Sequence, residues 1–103
     1  MSVLMQFAMF PTDKGASVSQ WVSKIIEMVR ESNYPYKLSP MGTIVETETI
    51  EQANQIVAQA YKLLQPDCKR VYCTVTFDIK EGETGRMAQK IKSIENRIGE
   101  VNV

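Results

Sequence analysis

The chain has 103 residues, with twelve Lys and Arg balanced by twelve Asp and Glu, and it contains no histidine. That length suits one domain spanning residues 1–103. Charges that cancel and scatter along the chain leave no footprint for a nucleic acid or an anionic membrane surface; the lack of histidine removes the commonest general base and the commonest transition-metal ligand, and two isolated cysteines cannot make a structural zinc site.

Residues 1–9 are apolar but carry neither a basic leader nor a small-residue cleavage site, so they read as a strand of a soluble, cytoplasmic protein. Along residues 3–10, Val3, Met5, Phe7 and Met9 share one face while Leu4, Gln6, Ala8 and Phe10 share the other, which suits a central strand covered on both sides. A loop follows over residues 11–15. Ser17 and Gln20 then have capping-box spacing, which predicts Ser17 as the N-cap of a helix. Val18, Trp21, Val22, Ile25, Ile26 and Val29 recur at helical spacing, placing Trp21 in the core and the helix end near Ser32 and Asn33.

Residues 34–39 and 43–47 read as two short strands. Pro40-Met41-Gly42 reverses the chain between them, the proline fixing φ and the glycine admitting positive φ, and Glu46 lies three positions past Thr43. Thr49 and Gln52 repeat the capping-box spacing, and Ile50, Ala53, Val57, Ala60, Tyr61 and Leu64 form a second helical stripe that stops before Pro66. Strict alternation returns over residues 70–80, with Val71, Cys73, Val75, Phe77 and Ile79 on one face and Tyr72, Thr74, Thr76, Asp78 and Lys80 on the other. Cys68 and Cys73, read on that strand, fall on opposite faces and stay reduced thiols. Glu81-Gly82-Glu83-Thr84-Gly85 ends the strand, and Met87, Ala88, Ile91, Ile94 and Ile98 mark a terminal helix.

The order β-α-β-β-α-β-α predicts an α+β fold. It is the ferredoxin-like β-α-β-β-α-β antiparallel sheet, with both helices on one face and a C-terminal helix added. The other face would carry Gln6, Thr74, Thr76 and Asp78 among Leu4, Phe10 and Tyr72, with Ile44 and Glu46 joining them in the inferred register. So mixed a face calls for a cover or a ligand, which predicts a homodimer or homotetramer. The terminal helix offers a further cover, within the chain or across a subunit boundary.

Gly15-Ala16-Ser17-Val18-Ser19, Tyr36, Pro40-Met41-Gly42-Thr43 with Glu46 behind it, and Arg70-Val71 with Asp78 together resemble a known family. The chain is similar, over nearly its whole length, to the small cytoplasmic thiamine-binding proteins of ferredoxin-like fold related to YkoF. Two positions depart from that pattern: Thr47 stands where a glycine usually follows the glutamate, and Ile79-Lys80 where a more polar run follows the aspartate. The resemblance implies non-catalytic binding of thiamine or its hydroxymethylpyrimidine moiety at a subunit interface, with thiamine as ligand and no cofactor.

Thiamine presents a cationic thiazolium, a flat aminopyrimidine and a hydroxyethyl tail, so a receptor needs an anion or acceptor, hydroxyls and an apolar slot. On that basis the candidate ligand-binding residues are Ser17, Ser19, Met41, Gly42, Thr43, Glu46 and Asp78. Glu46 would accept from the aminopyrimidine and Asp78 would face the cation, although each also suits a plain structural role. Ser17 serves first as the helix cap, which leaves Ser19, with its hydroxyl uncommitted, the better ligand candidate of the two, and Thr43 serves equally as a turn stabiliser. No run of Arg or Lys marks a phosphate site, which predicts a preference for thiamine over its diphosphate. An RNA-recognition domain shares the element order but needs stacking aromatics that residues 43–47 lack. An acylphosphatase-like enzyme needs an arginine in the loop of residues 11–17, where the only cation is Lys14. A structural or regulatory oligomeric module without a small ligand is the alternative of substance.

Overall fold

Strand alternation and helix stripes resolve, in a computed structural model describing residues 1–82 and 84–103, into seven elements. They are β1 (Ser2–Pro11), α1 (Ser19–Glu31), β2 (Tyr36–Ser39), β3 (Gly42–Thr47), α2 (Ile50–Leu64), β4 (Val71–Lys80) and α3 (Arg86–Ile98). The sheet runs β2-β3-β1-β4 with every neighbouring pair antiparallel, so β1 is central and the fold is ferredoxin-like α+β. Glu83, part of the loop expected after β4, lies outside the described residues.

One face of β1 builds the core. Val3, Met5, Phe7 and Met9 are buried there with Val45 of β3, under Ile25 and Val29 of α1 and Ala53, Ile56, Ala60 and Leu64 of α2. Small alanines at 53 and 60 let α2 lie close to the sheet. Its start is secured by the expected capping box, in which Thr49 Oγ1 accepts the Gln52 amide while the Gln52 side chain accepts from the Thr49 amide.

The start of α1 differs from the expectation. Val18, not Ser17, is its N-cap, no side chain caps the helix, and the Val18 carbonyl accepts from both Trp21 and Val22. Val18 is half-buried in the cleft beside Val22, while Ser17 stays exposed in the loop, so apolar burial decides where the helix begins. Trp21 is only half-buried, packed on the rim of the core beneath the ammonium groups of Lys14 and Lys24. Asn33, at φ 66°, takes the left-handed conformation that ends the helix.

In the hairpin, Gly42 has no positive φ. A Cβ there would lie 3.1 Å from the Phe7 carbonyl oxygen, so glycine is needed for close approach to β1, and the expected role in φ is corrected. Ser39 organises the turn, its Oγ donating to the Gly42 carbonyl and accepting from the Met41 amide. Both cysteines are free thiols as expected, but Cys68 is buried ahead of β4 and not on it, while Cys73 is exposed on the strand.

The alternation of β4 is as expected, but its cover is not. Val75, Phe77 and Ile79 pair with Phe7, Met5 and Val3 and so face the α1/α2 side, yet they remain 38%, 37% and 51% exposed. Both helices sit over β1 and the strands on its other side, so the β4 edge carries a bare apolar row.

Candidate functional site

The register across the second face of the sheet aligns Glu46, Leu4 and Asp78 in one row and Ile44, Gln6 and Thr76 in the next. This is the face expected to need a cover. α3 lies over it, placing Met87, Lys90 and Ile91 opposite Leu4, Gln6, Ile44, Thr76 and Asp78 around a cleft of about 450 Å³. That volume is within the ordinary range of small-molecule sites.

The start of α3 is tied to the sheet by a polar cluster. Gly85, at φ 73°, turns the chain so that the first helical amides point at Glu46. Glu46 Oε2 accepts from the Arg86 amide at 3.1 Å and from Ser2 Oγ at 2.9 Å, and Oε1 accepts from the Met87 amide at 3.1 Å. A carboxylate at a helix N-terminus satisfies its unpaired amides and opposes the positive end of the helix dipole. Burial pushes the Glu46 pKa up, but the Met87 amide, the Ser2 hydroxyl and the Arg86 amide outweigh it and hold the carboxyl below its ordinary value.

Arg86 is the second anchor, with a side chain only 5% exposed. Its Nε donates to Ser2 Oγ at 3.1 Å, Nη1 to Asp78 Oδ2 at 3.0 Å, and Nη2 to the carbonyls of Ser2 and Asp78 at 3.1 and 2.6 Å. Lys90 Nζ donates to the same Asp78 oxygen at 2.7 Å. Lys90 foremost, then Arg86, holds the Asp78 carboxyl below its usual value.

The expected site residues divide between two sides of the sheet. Glu46 and Asp78 belong to the α3 side, Asp78 on the cleft wall and Glu46 beneath the start of the helix. Met41, Gly42 and Thr43 line a separate cleft of about 330 Å³ between α1 and the hairpin, where Thr43 is buried on the α1/α2 side because it stands an odd number of positions from Glu46. Ser19 borders a shallow hollow with Leu38, its carbonyl accepting from Ser23 Oγ, and Ser17 lines neither cleft.

Sequence reasoning missed Ser2, Lys37, Arg86 and Lys90. A local signal for Arg86 existed: a cation in the first turn of a helix opposes the dipole, so its charge had to be recruited elsewhere. Lys37 of β2 and Lys90 of α3 reach one cleft although no basic run links them. Among the described residues no group of three or more His, Cys, Asp or Glu side chains is placed to hold a metal, and no helix is long and apolar enough to cross a membrane.

Residues 5–95 match a family model described as thiamine-binding protein. A UPF0045 protein of Mycobacterium bovis is 30% identical over 92% of this chain and 93% of its own length. The crystal structure of a Methanocaldococcus jannaschii hypothetical protein superposes with a TM-score of 0.81 at 26% identity, covering 90% of this chain and 95% of that one. A Thermotoga maritima protein, described as a candidate in thiamine biosynthesis or salvage, shares the fold with a TM-score of 0.77 at 21% identity, covering 91% of this chain and 99% of that one.

Proposed function

This chain belongs to the thiamine-binding protein family, and from that premise we propose that it binds thiamine or its hydroxymethylpyrimidine moiety in the α3 cleft, without catalysing a reaction. The observation that carries the reading is the convergence on one cleft of the Gln6 amide, the Thr76 hydroxyl and the Asp78 carboxylate between the apolar walls of Leu4, Ile44, Met87 and Ile91. A primary amide offers a donor and an acceptor side by side, matching the amino group and adjacent ring nitrogen of an aminopyrimidine. Glu46 acts in this reading through α3, whose position forms one wall.

The exposed members of the remaining set, Ser17 and Ser19 at the start of α1 and Met41 at the hairpin tip, join the same ligand when two protomers meet, while Gly42 and the buried Thr43 hold the hairpin against β1. Met41 at 83% and Leu38 at 62% exposure supply the apolar tip for such a contact, and the bare row on β4 supplies a second surface for a dimer or tetramer. The protein works in this reading as one domain in the cytoplasm, with no cofactor, nucleic acid or membrane partner.

Thermal denaturation with thiamine and with hydroxymethylpyrimidine tests it. Ligand at a hundredfold its dissociation constant adds about 2.7 kcal/mol of stability, which a melting curve resolves. No shift with either, together with flat calorimetric titrations, overturns the reading. It would favour a structural module without a ligand, a reading supported by the full engagement of both Glu46 oxygens by the chain's own amides and hydroxyl.

A further inference from the structure

The groups that bond α3 to the sheet, Arg86, the Met87 amide and Lys90, all belong to its first turns. The helix runs on to Ile98, about 18 Å from Arg86 at 1.5 Å per residue, so it is pinned at one end. Its apolar stripe continues past the anchor. Met87 and Ile91 wall the cleft, whereas Ile94 and Ile98, on the same side of the helix, are 48% and 73% exposed. Beyond them Gly99, at φ 88°, turns the chain back, and the Val101 amide donates to Glu95 Oε2 at 3.3 Å. Asn102 and Val103 thereby line the cleft that the anchored end walls, and the tail moves with the helix that carries it.

A pivot stands at the anchored end. Gly85 precedes Arg86 at φ 73°, with nothing within 4 Å of where its Cβ would lie. A tilt of about 15° there carries Ile98 through about 5 Å. What opposes that tilt is the floor of the cleft, where Gln6 and Thr76 are exposed to water. An isoleucine ridge lowered over them removes an amide and a hydroxyl from water, a cost comparable with the gain from burying the ridge. A molecule that bonds both groups removes the cost and leaves the gain.

We propose that α3 is a lid, pivoting at Gly85 and pinned by Glu46 and Arg86, which closes over the occupied cleft and buries Ile94 and Ile98 above the bound molecule. The proposal rests on the reading that this cleft takes the pyrimidine moiety. It adds that part of the affinity comes from two isoleucines that lie largely in water in this structure.

Calorimetric titration with hydroxymethylpyrimidine and with thiamine, and amide exchange of the full chain with and without the tighter of the two, test it. Ile94→Ala and Ile98→Ala should each weaken binding about fivefold, the loss of roughly half an isoleucine's burial. Ile98→Ala should leave the urea midpoint of the free protein unchanged. Asn96→Ala, on the opposite side of the helix, should keep the full affinity. Bound ligand should slow exchange across residues 92–98. Full affinity in both isoleucine variants, exchange at residues 92–98 that the ligand does not slow, or a lowered midpoint in Ile98→Ala each overturns the lid while the pyrimidine-binding reading stands. A change of oligomeric state in Ile94→Ala, read by light scattering, also overturns it and assigns the ridge to a contact between copies. If neither compound binds, the pyrimidine-binding reading fails, and this proposal with it.

Discussion

The carboxylate of Glu46 and the backbone amide of Arg86 meet at 3.1 Å, so a residue in the middle of the sheet caps a helix that begins 40 positions later. The same carboxylate takes the next amide, from Met87, and the Ser2 hydroxyl that also accepts from the Arg86 side chain. α3 has little else to hold it, since Ile94 and Ile98 are 48% and 73% exposed. Its attachment therefore depends on this polar cluster together with the burial of Met87 and Ile91.

Replacing Glu46 by alanine leaves two helix amides and the buried Ser2 hydroxyl without their acceptor. The expected cost is about 2 to 4 kcal/mol, the loss of a helix cap together with buried donors left unsatisfied. Amide exchange should show α3 losing protection while α2, with its own capping box, keeps it. Chemical denaturation gives the total. A variant that binds pyrimidine less well but retains α3 protection would place Glu46 in direct contact with the ligand.

Acid should act at the same point. Glu46 and Asp78 both have folded-state pKa values below their ordinary ones. Their contribution is therefore fully present above the unfolded carboxylate values, about 4.3 for Glu and 3.9 for Asp, and is lost as pH falls through the folded values. The attachment of α3 should accordingly be insensitive to pH near neutrality and weaken below about pH 4. NMR chemical shifts of the Arg86 and Met87 amides, followed on acidification, report it directly. In Glu46→Gln the acid transition at these amides should flatten, because the group they sense no longer titrates.

The alternation of β4 and the register that carries Glu46 to the second face were legible from period-two patterning. Apolar faces must match across neighbouring strands, and a slip by one residue would bury the wrong set. What covers each face was not legible. Phe77 reads as core from its alternation, but whether a helix reaches it depends on where α2 settles laterally, and that is decided by the close fit of Ala53 and Ala60 over the central strands. Arg86 left a local mark as a cation in the first turn of a helix, but its partner Ser2 lies 84 positions away, so no local pattern could name what it would hold. The hairpin motif was visible as sequence, yet its odd spacing from Glu46 divides the expected site between two faces.

The bare row of Val75, Phe77 and Ile79 yields a prediction about assembly. β4 is an edge strand of ten residues with no proline and with apolar side chains standing off one face, the kind of edge that soluble proteins normally cover. If self-association uses this edge, Phe77→Lys should shift the protein to monomer in size-exclusion chromatography with light scattering and leave the circular dichroism spectrum unchanged. Phe77 is already 37% exposed, so the charge can reach water in the isolated fold. An unchanged oligomer in that variant would place the contact elsewhere.

Two glycines separate packing from backbone conformation. At Gly42 the φ angle suits any residue, but an added Cβ would press on the Phe7 carbonyl at 3.1 Å, part of the central strand and unable to yield cheaply. At Gly85 nothing lies within 4 Å of the added Cβ, but φ is +73°, a region that costs most side chains about 1 kcal/mol. Alanine at either position should therefore destabilise, by about 1 to 2 kcal/mol at residue 42 and about 1 kcal/mol at residue 85. Asparagine distinguishes the causes, because it tolerates the left-handed region yet carries a Cβ. Gly85→Asn should recover much of the stability lost in Gly85→Ala, whereas Gly42→Asn should be no better than Gly42→Ala, as read from urea midpoints. Recovery at residue 42 would return the hairpin glycine to a conformational role and remove the close approach to β1 as the reason for its presence.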